Sequence, residues 1–371
     1  MPELPISAVL DALRTVVDPT NGKDLVRLGW IRELSVSSEE IRFTLWIPDP
    51  MHPFAGEAAS ACEKALVTAF GDSVAVNITT DSEMIDLGAD LSIDGQEATP
   101  GPGEGITSIV AVASGKGGVG KSTVASNLAV ALAQQGYDVG LVDVDIYGPS
   151  IPTMFGIETA KPRVNEKRRI IPLEKYGVKL LSMGFLVDPE KAVIWRGPMV
   201  TSAVRQFLSD TEWGELDYLI MDLPPGTGDI QLTIVQTIPL AGAVIVSTPQ
   251  RVALADARKG VSMFDQVGVP VLGIVENMAY FTPDELPDKR YHLFGQGGAK
   301  ALAGELDVPF LGEVPLVQAV RENADEGTPV AADSSSPVGK VFRDIAADVA
   351  VRTEERNALR PATQKIDVLH R

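Results

Sequence analysis

The chain has 371 residues, 45% of them apolar and 22% charged, with 50 acidic side chains against 32 basic ones and a formal charge of −18. That length allows two or three domains of roughly 100–200 residues each, and the composition excludes a wholly disordered chain. So acidic a balance opposes a sequence-independent grip on nucleic acid or on an anionic membrane, and neither is expected as a partner.

The front of the chain, about residues 1–92, reads helix–strand–strand–helix–strand. Ile6, Val9, Leu10 and Leu13 recur at helical spacing. Val26–Val36 and Ile41–Ile47 alternate as paired strands, Ala55–Phe70 is an Ala-rich helix, and Ser73–Ile78 is a short β-branched run. Residues 93–107 read as a linker, because Gly95–Gly105 holds six Gly or Pro residues in eleven and has no apolar period.

Residues 108–352 repeat a short apolar run, a loop and a helix. The runs are Ser108–Ala113, Val139–Val142, Lys179–Met183, Tyr218–Met221, Ala243–Ser247, Val271–Val275 and Pro309–Leu311. Several are apolar on both faces, as strands covered by helices on both sides must be. The pattern predicts an α/β fold: a doubly wound, mostly parallel sheet behind a small α+β domain. Residues 353–371 read as a polar, frayed tail. MPELPISAVL lacks the basic start and long apolar core of a signal peptide, and no apolar stretch nears the roughly 18 residues of a spanning helix, so a cytoplasmic location is expected.

Gly115–Ser122, GKGGVGKS, satisfies G-x-x-x-x-G-K-[ST] between an apolar strand and a helix. Four glycines let the backbone wrap closely and turn N–H groups inward, and the helix N-terminus adds partial positive charge. On this reading Gly115, Lys116, Gly117, Gly118, Val119, Gly120, Lys121, Ser122 and Thr123 bind the phosphates of a nucleotide. Lys121 supplies a full charge and the Ser122 hydroxyl faces Mg²⁺.

Two later strand ends complete the pattern. LIMD (Leu219–Asp222) ends in a carboxylate and leads into Pro224-Pro225-Gly226-Thr227-Gly228-Asp229, a Walker-B strand followed by a glycine-bearing switch. Asp222 would hold Mg²⁺ through water, and Gly226 could offer an N–H to the γ-phosphate. LVDVD (Leu141–Asp145) ends in two carboxylates, either of which could orient an attacking water, and Asp143 is set beside Ser122 and Asp222 as a magnesium-side residue. Lys116 is a second lysine that the loop does not need. It is either a solvated charge or a group that reaches the nucleotide of a second copy, as an arginine finger does.

These residues resemble a known family. GKGGVGKST with its early lysine looks like the deviant Walker A of the group that includes MinD, ParA, the arsenite-pump ATPase and the nitrogenase iron protein. DVDIYGPSIP, WRGPM, DYLIMDLPPGTGD, ENMAYF, FGQGGAKALA and GEVPL are similar to the Mrp/ApbC branch. The front module resembles the small iron–sulfur-assembly domain that precedes many of these ATPases. The resemblance implies a dimeric ATPase that carries an iron–sulfur cluster to apo-proteins or works with assembly factors. It implies Lys116 acting across the dimer, Lys121 on phosphate, Asp145 activating water, Asp222 as the Walker-B carboxylate, and Asn277 reading adenine with Pro315 near it.

The sequence departs from the family where a cluster would be held. Relatives carry C-x-x-C soon after the Asn-Met dipeptide, whereas residues 277–294 here read NMAYFTPDELPDKRYHLF. Asp284, Glu285, Asp288 and His292 are alternative ligands there, although carboxylates and imidazole suit harder ions than an iron–sulfide core. His52 in Met51-His52-Pro53 and the lone Cys62 are the remaining candidates. A homodimer offers two thiols where a [4Fe–4S] cluster takes four. The competing expectation is therefore a cluster-free, nucleotide-gated scaffold that recruits protein partners. The basic stretch Arg163–Arg169 and Arg196 have no assigned step.

Overall fold

The computed structural model describes residues 4–37, 40–47, 54–71, 74–82, 105–146, 148–185, 197–283, 285–286 and 288–359. His52, Asp284, Arg196 and residues 93–104 of the expected 93–107 linker lie outside the described residues, while Ile106 and Thr107, expected in the linker, already belong to a strand. By contacts, residues 4–82 with 351–359 form one compact unit and residues 105–350 another.

The front unit contains α1 (Ile6–Leu13), β1 (Ile31–Val36), β2 (Glu40–Ile47), α2 (Ala55–Phe70) and β3 (Ala75–Ser82). β1 pairs antiparallel with β2, which pairs parallel with β3. The expected strand start at Val26 is corrected: the strand begins at Ile31. Asp24 stops it from starting sooner, because its carboxylate accepts from Arg27 N at 2.8 Å and its carbonyl from Leu28 N at 3.0 Å. That local turn closes on Gly29 at φ 67°. Leu25, Val26 and Trp30 still enter the core, so the apolar period signalled burial and not strand.

The large unit follows as β4 (Ile106–Ala113), α3 (Lys121–Gln134), β5 (Val139–Asp143), α4 (Ile151–Met154), β6 (Arg163–Val164), β7 (Ile170–Ile171), β8 (Leu173–Lys175) and β9 (Val178–Ser182). Then come α5 (Gly197–Ser209), β10 (Leu216–Asp222), α6 (Asp229–Thr237), β11 (Leu240–Ser247), α7 (Arg251–Gln266), β12 (Val271–Phe281), α8 (Gly298–Glu305), β13 (Phe310–Leu316), α9 (Gln318–Asp325) and α10 (Pro337–Leu359). The eight-stranded sheet runs β13-β12-β11-β4-β10-β5-β9-β8 and is parallel except for edge strand β8. All seven apolar runs are strands of it. Ile109, Ala111 and Ala113 of β4 enter one apolar layer while Val110 and Val112 enter the other. This two-sided burial is why the run lacks polar alternation. The basic stretch Arg163–Arg169 forms the small β6–β7 hairpin.

The expectation of a frayed tail from 353 is also corrected. α10 continues to Leu359, and in the front unit Glu354 pairs with Arg14 while Ala358 is buried in that core. Thr353, Glu354 and Arg356 are buried too, so polar composition did not mean a solvated segment. Among the described residues no helix is long and apolar enough to cross a membrane.

Candidate nucleotide site

The site forms where β4, β5 and β10 end together. Parallel register sets Asp222 beside Val112 on one side and Asp143 on the other, with Ser182 beside Asp143. Two strand-terminal carboxylates thus lie side by side beneath the loop that connects β4 to α3. That loop turns on Gly118 at φ 79° and Gly120 at φ 80°, values that only glycine adopts without strain. The side chain of Val119 is buried in the core and pins the middle of the loop.

Above the carboxylates is a cavity of about 250 Å³. Lys116, Gly117, Gly118, Gly120, Lys121, Ser122, Thr123 and Asp145 line it, so most of the predicted loop converges there. Lys121 Nζ donates to Asp222 Oδ1 at 2.6 Å and to Ser122 Oγ at 3.2 Å, and lies 4.0 Å from Asp145 Oδ2. The Lys116 ammonium has no ion-pair partner among the described residues. Ser114, Gly148, Ser150, Met154 and Pro225 also face the cavity. None of these was singled out as a site residue, although Gly148 and Ser150 lie within the DVDIYGPSIP string and Pro225 within the switch. Ser150 Oγ is buried without a hydrogen-bond partner.

Asp222 is fully buried, and burial raises its proton affinity while Lys121 and Ser122 lower it. Its Oδ1 is taken by Lys121, but Oδ2 is buried with no hydrogen-bond partner. An orphaned carboxylate oxygen beside a serine hydroxyl is a hard oxygen donor set, which fits Mg²⁺ with its water shell. Asp143 is pushed up to about 7, first by burial and then by the neighbouring Asp222 charge.

Other expected site residues lie off the cavity or are engaged elsewhere in the structure. Asp143 is fully buried and does not line the cavity. Its oxygens accept from Asp145 N at 3.0 Å, Ile151 N at 3.3 Å and Ser182 Oγ at 2.9 Å. It therefore shapes the turn that carries Asp145 and is not placed as a metal ligand. Gly226, at φ 104°, donates its N–H to Ser114 O at 2.9 Å. Gly115 does not line the cavity. A Cβ there would overlap the backbone of Asp256 in α7, so its smallness serves packing. Asn277, the expected adenine reader, is not among the residues lining this cavity; its amide donates to Val119 O at 2.8 Å and accepts from Met278 N at 3.0 Å. Pro315, in β13, is half-buried and also stands off the cavity.

Two of the cluster-ligand candidates, Cys62 and His292, can be placed. Cys62 is 0% exposed within the front core, and burial pushes its thiol up to about 12, so it offers no thiolate. His292 places Nδ1 3.1 Å from Ala279 O. No group of three or more His, Cys, Asp or Glu side chains suited to a metal occurs among the described residues.

Known proteins agree with this architecture. A profile of the NUBPL iron-transfer P-loop NTPase family matches residues 105–350, and one described as an iron–sulfur cluster assembly protein matches residues 6–78. An iron–sulfur cluster carrier protein of Synechocystis sp. is 48% identical over 352 residues, 94% of this chain and 97% of its own length. The iron–sulfur cluster transfer protein NUBPL of Mus musculus is 50% identical over 254 residues, 68% of this chain and 79% of its own. Among solved structures, the nucleotide-binding protein from Archaeoglobus fulgidus in complex with ADP is similar at a TM-score of 0.57 and 40% identity, covering 65% of this chain and 94% of that one. The chain belongs to the NUBPL iron-transfer P-loop NTPase family.

Proposed function

We propose that this protein binds and hydrolyses ATP at the 115–123 loop as a homodimer, and that it serves iron–sulfur cluster assembly as a nucleotide-driven carrier. The observation that carries the reading is the buried Lys121–Asp222 ion pair beneath a loop-lined cavity, with Asp222 Oδ2 left over. Lys121 and the loop N–H groups bind the β- and γ-phosphates, and Ser122 and Asp222 hold the metal ion. Magnesium, when bound with ATP, neutralises charge on the phosphate oxygens. Asp145, at the cavity wall, orients the attacking water. Lys116, half-buried at the cavity rim, reaches the nucleotide of the second copy.

The cluster is cargo, not a resident group. With Cys62 sealed in the core, its thiolates come from the apo-proteins or assembly factors that the dimer meets. The burial of Cys62 also favours a second reading, a scaffold that never carries a cluster. Transfer of a [4Fe–4S] cluster from a loaded assembly scaffold to apo-ferredoxin, followed by visible absorbance, separates the two. The carrier reading expects this protein with MgATP to accelerate transfer. No effect of MgATP on transfer, with ATP turnover intact, leaves the scaffold.

A further inference from the structure

Asn277 stands where β12 outruns its neighbour. It pairs with Val314 of β13, after which the register slips before Phe281, and Met278 adopts φ 56°. The Asn277 side chain is buried and held at both ends: Nδ2 donates to Val119 O and Oδ1 accepts from Met278 N. A Cβ on Gly120 would overlap Nδ2, so the amide fills space that only glycine leaves at that position.

The consequence follows from peptide geometry. In a trans peptide the C=O and the next N–H point in opposite directions. Asn277 draws the Val119 carbonyl outward, so the Gly120 N–H on the same peptide plane is turned to the opposite side, toward the cavity that Gly120 lines. We infer that Asn277 is a positioning residue for the phosphate loop: it aims the Gly120 N–H and thereby sets affinity for polyphosphate whatever base is attached. This rests on the reading above, that nucleotide phosphates occupy the cavity.

The two roles for Asn277 separate by ligand. Asn277→Asp keeps the shape and the bond from Met278 N but cannot donate to Val119 O. Asn277→Ala removes both bonds. Calorimetric titration with ATP, GTP and inorganic tripolyphosphate, each with Mg²⁺, compares the variants with wild type. The expected result is a loss of roughly tenfold in affinity for Asn277→Asp, equal for all three ligands. A loss confined to ATP makes Asn277 a base reader and overturns the inference, as does unchanged tripolyphosphate binding. Should Asn277→Ala fail to fold, Asn277→Asp alone decides, its integrity checked by circular dichroism. Wild type that binds neither ATP nor tripolyphosphate overturns the functional reading itself, which is a different outcome from a variant that binds like wild type.

Discussion

Lys121→Met removes an ammonium and keeps the apolar stem. That ammonium sits 2.6 Å from a carboxylate with no exposure to solvent. Removing one member of such a buried pair typically costs about 3–5 kcal/mol, because the remaining charge is left uncompensated. Asp222 can escape by taking up a proton, to which burial already inclines it. Losing Lys121 raises its proton affinity further. The folded state then keeps a proton that the unfolded chain has released, so stability falls as pH rises from the unfolded carboxylate value to the folded one. The deficit of the variant is therefore smallest at acidic pH and grows as pH rises, by up to about 1.4 kcal/mol per pH unit. Hydrogen exchange of β4 and β10 peptides reads the stability of this unit separately from the front one. The double variant Lys121→Met/Asp222→Asn is expected to recover most of the loss, with a coupling of about 2 kcal/mol or more. A deficit independent of pH, or no recovery in the double variant, would refute the reasoning.

Lys116→Ala should leave ATP affinity within about twofold yet abolish most hydrolysis, if its charge acts across two copies; unchanged turnover in a phosphate-release assay removes that role. Gly115→Ala drives a Cβ closer than 3.0 Å to the Asp256 backbone and should destabilise the unit by about 1–3 kcal/mol, read as a lowered melting temperature. Cys62 should resist thiol-specific disulfide reagents at neutral pH in the native protein and react at once in denaturant; rapid native labelling would contradict its burial. Because its folded pKa is raised to about 12 from an ordinary thiol value, Cys62 should also make stability fall as pH climbs through that interval, and Cys62→Ala should remove this part of the alkaline loss.

The sheet was legible because strands buried on both faces leave unbroken apolar runs, and because loop residues needing left-handed backbone must be glycine. What the sequence hid was direction. Nothing in LVDVD says which carboxylate turns inward; parallel register with Asp222 and Ser182 puts Asp143 in the sheet row and leaves Asp145 at the cavity wall. A similar ambiguity attached to Asn277, whose amide serves equally well for a base edge or a carbonyl, and only the fold shows Val119 O within reach. Gly226 read as a phosphate donor because its flexibility was visible and its bond to Ser114 was not. The tail misled for another reason: Glu354 is buried against Arg14, a partner 340 residues away in the chain.

The Lys121–Asp222 pair bears on how the proposed chemistry begins. Lys121 cannot both stay 2.6 Å from Asp222 and serve the phosphates, so binding requires an exchange of partners. As the ammonium leaves for the phosphates, Asp222 would be stranded as a fully buried carboxylate beside Asp143, the costliest state open to it. Asp222 avoids that state only by gaining a proton or a metal ion. At neutral pH the metal ion is the better exchange, because it also meets the oxygen that has no partner. On the proposed reading, phosphate and metal binding would thereby be coupled through one carboxylate. Asp143 deepens the coupling: its charge raises the cost of the stranded state, while its hydrogen bonds from Asp145 N and Ile151 N tie that same carboxylate row to the turn that carries Asp145.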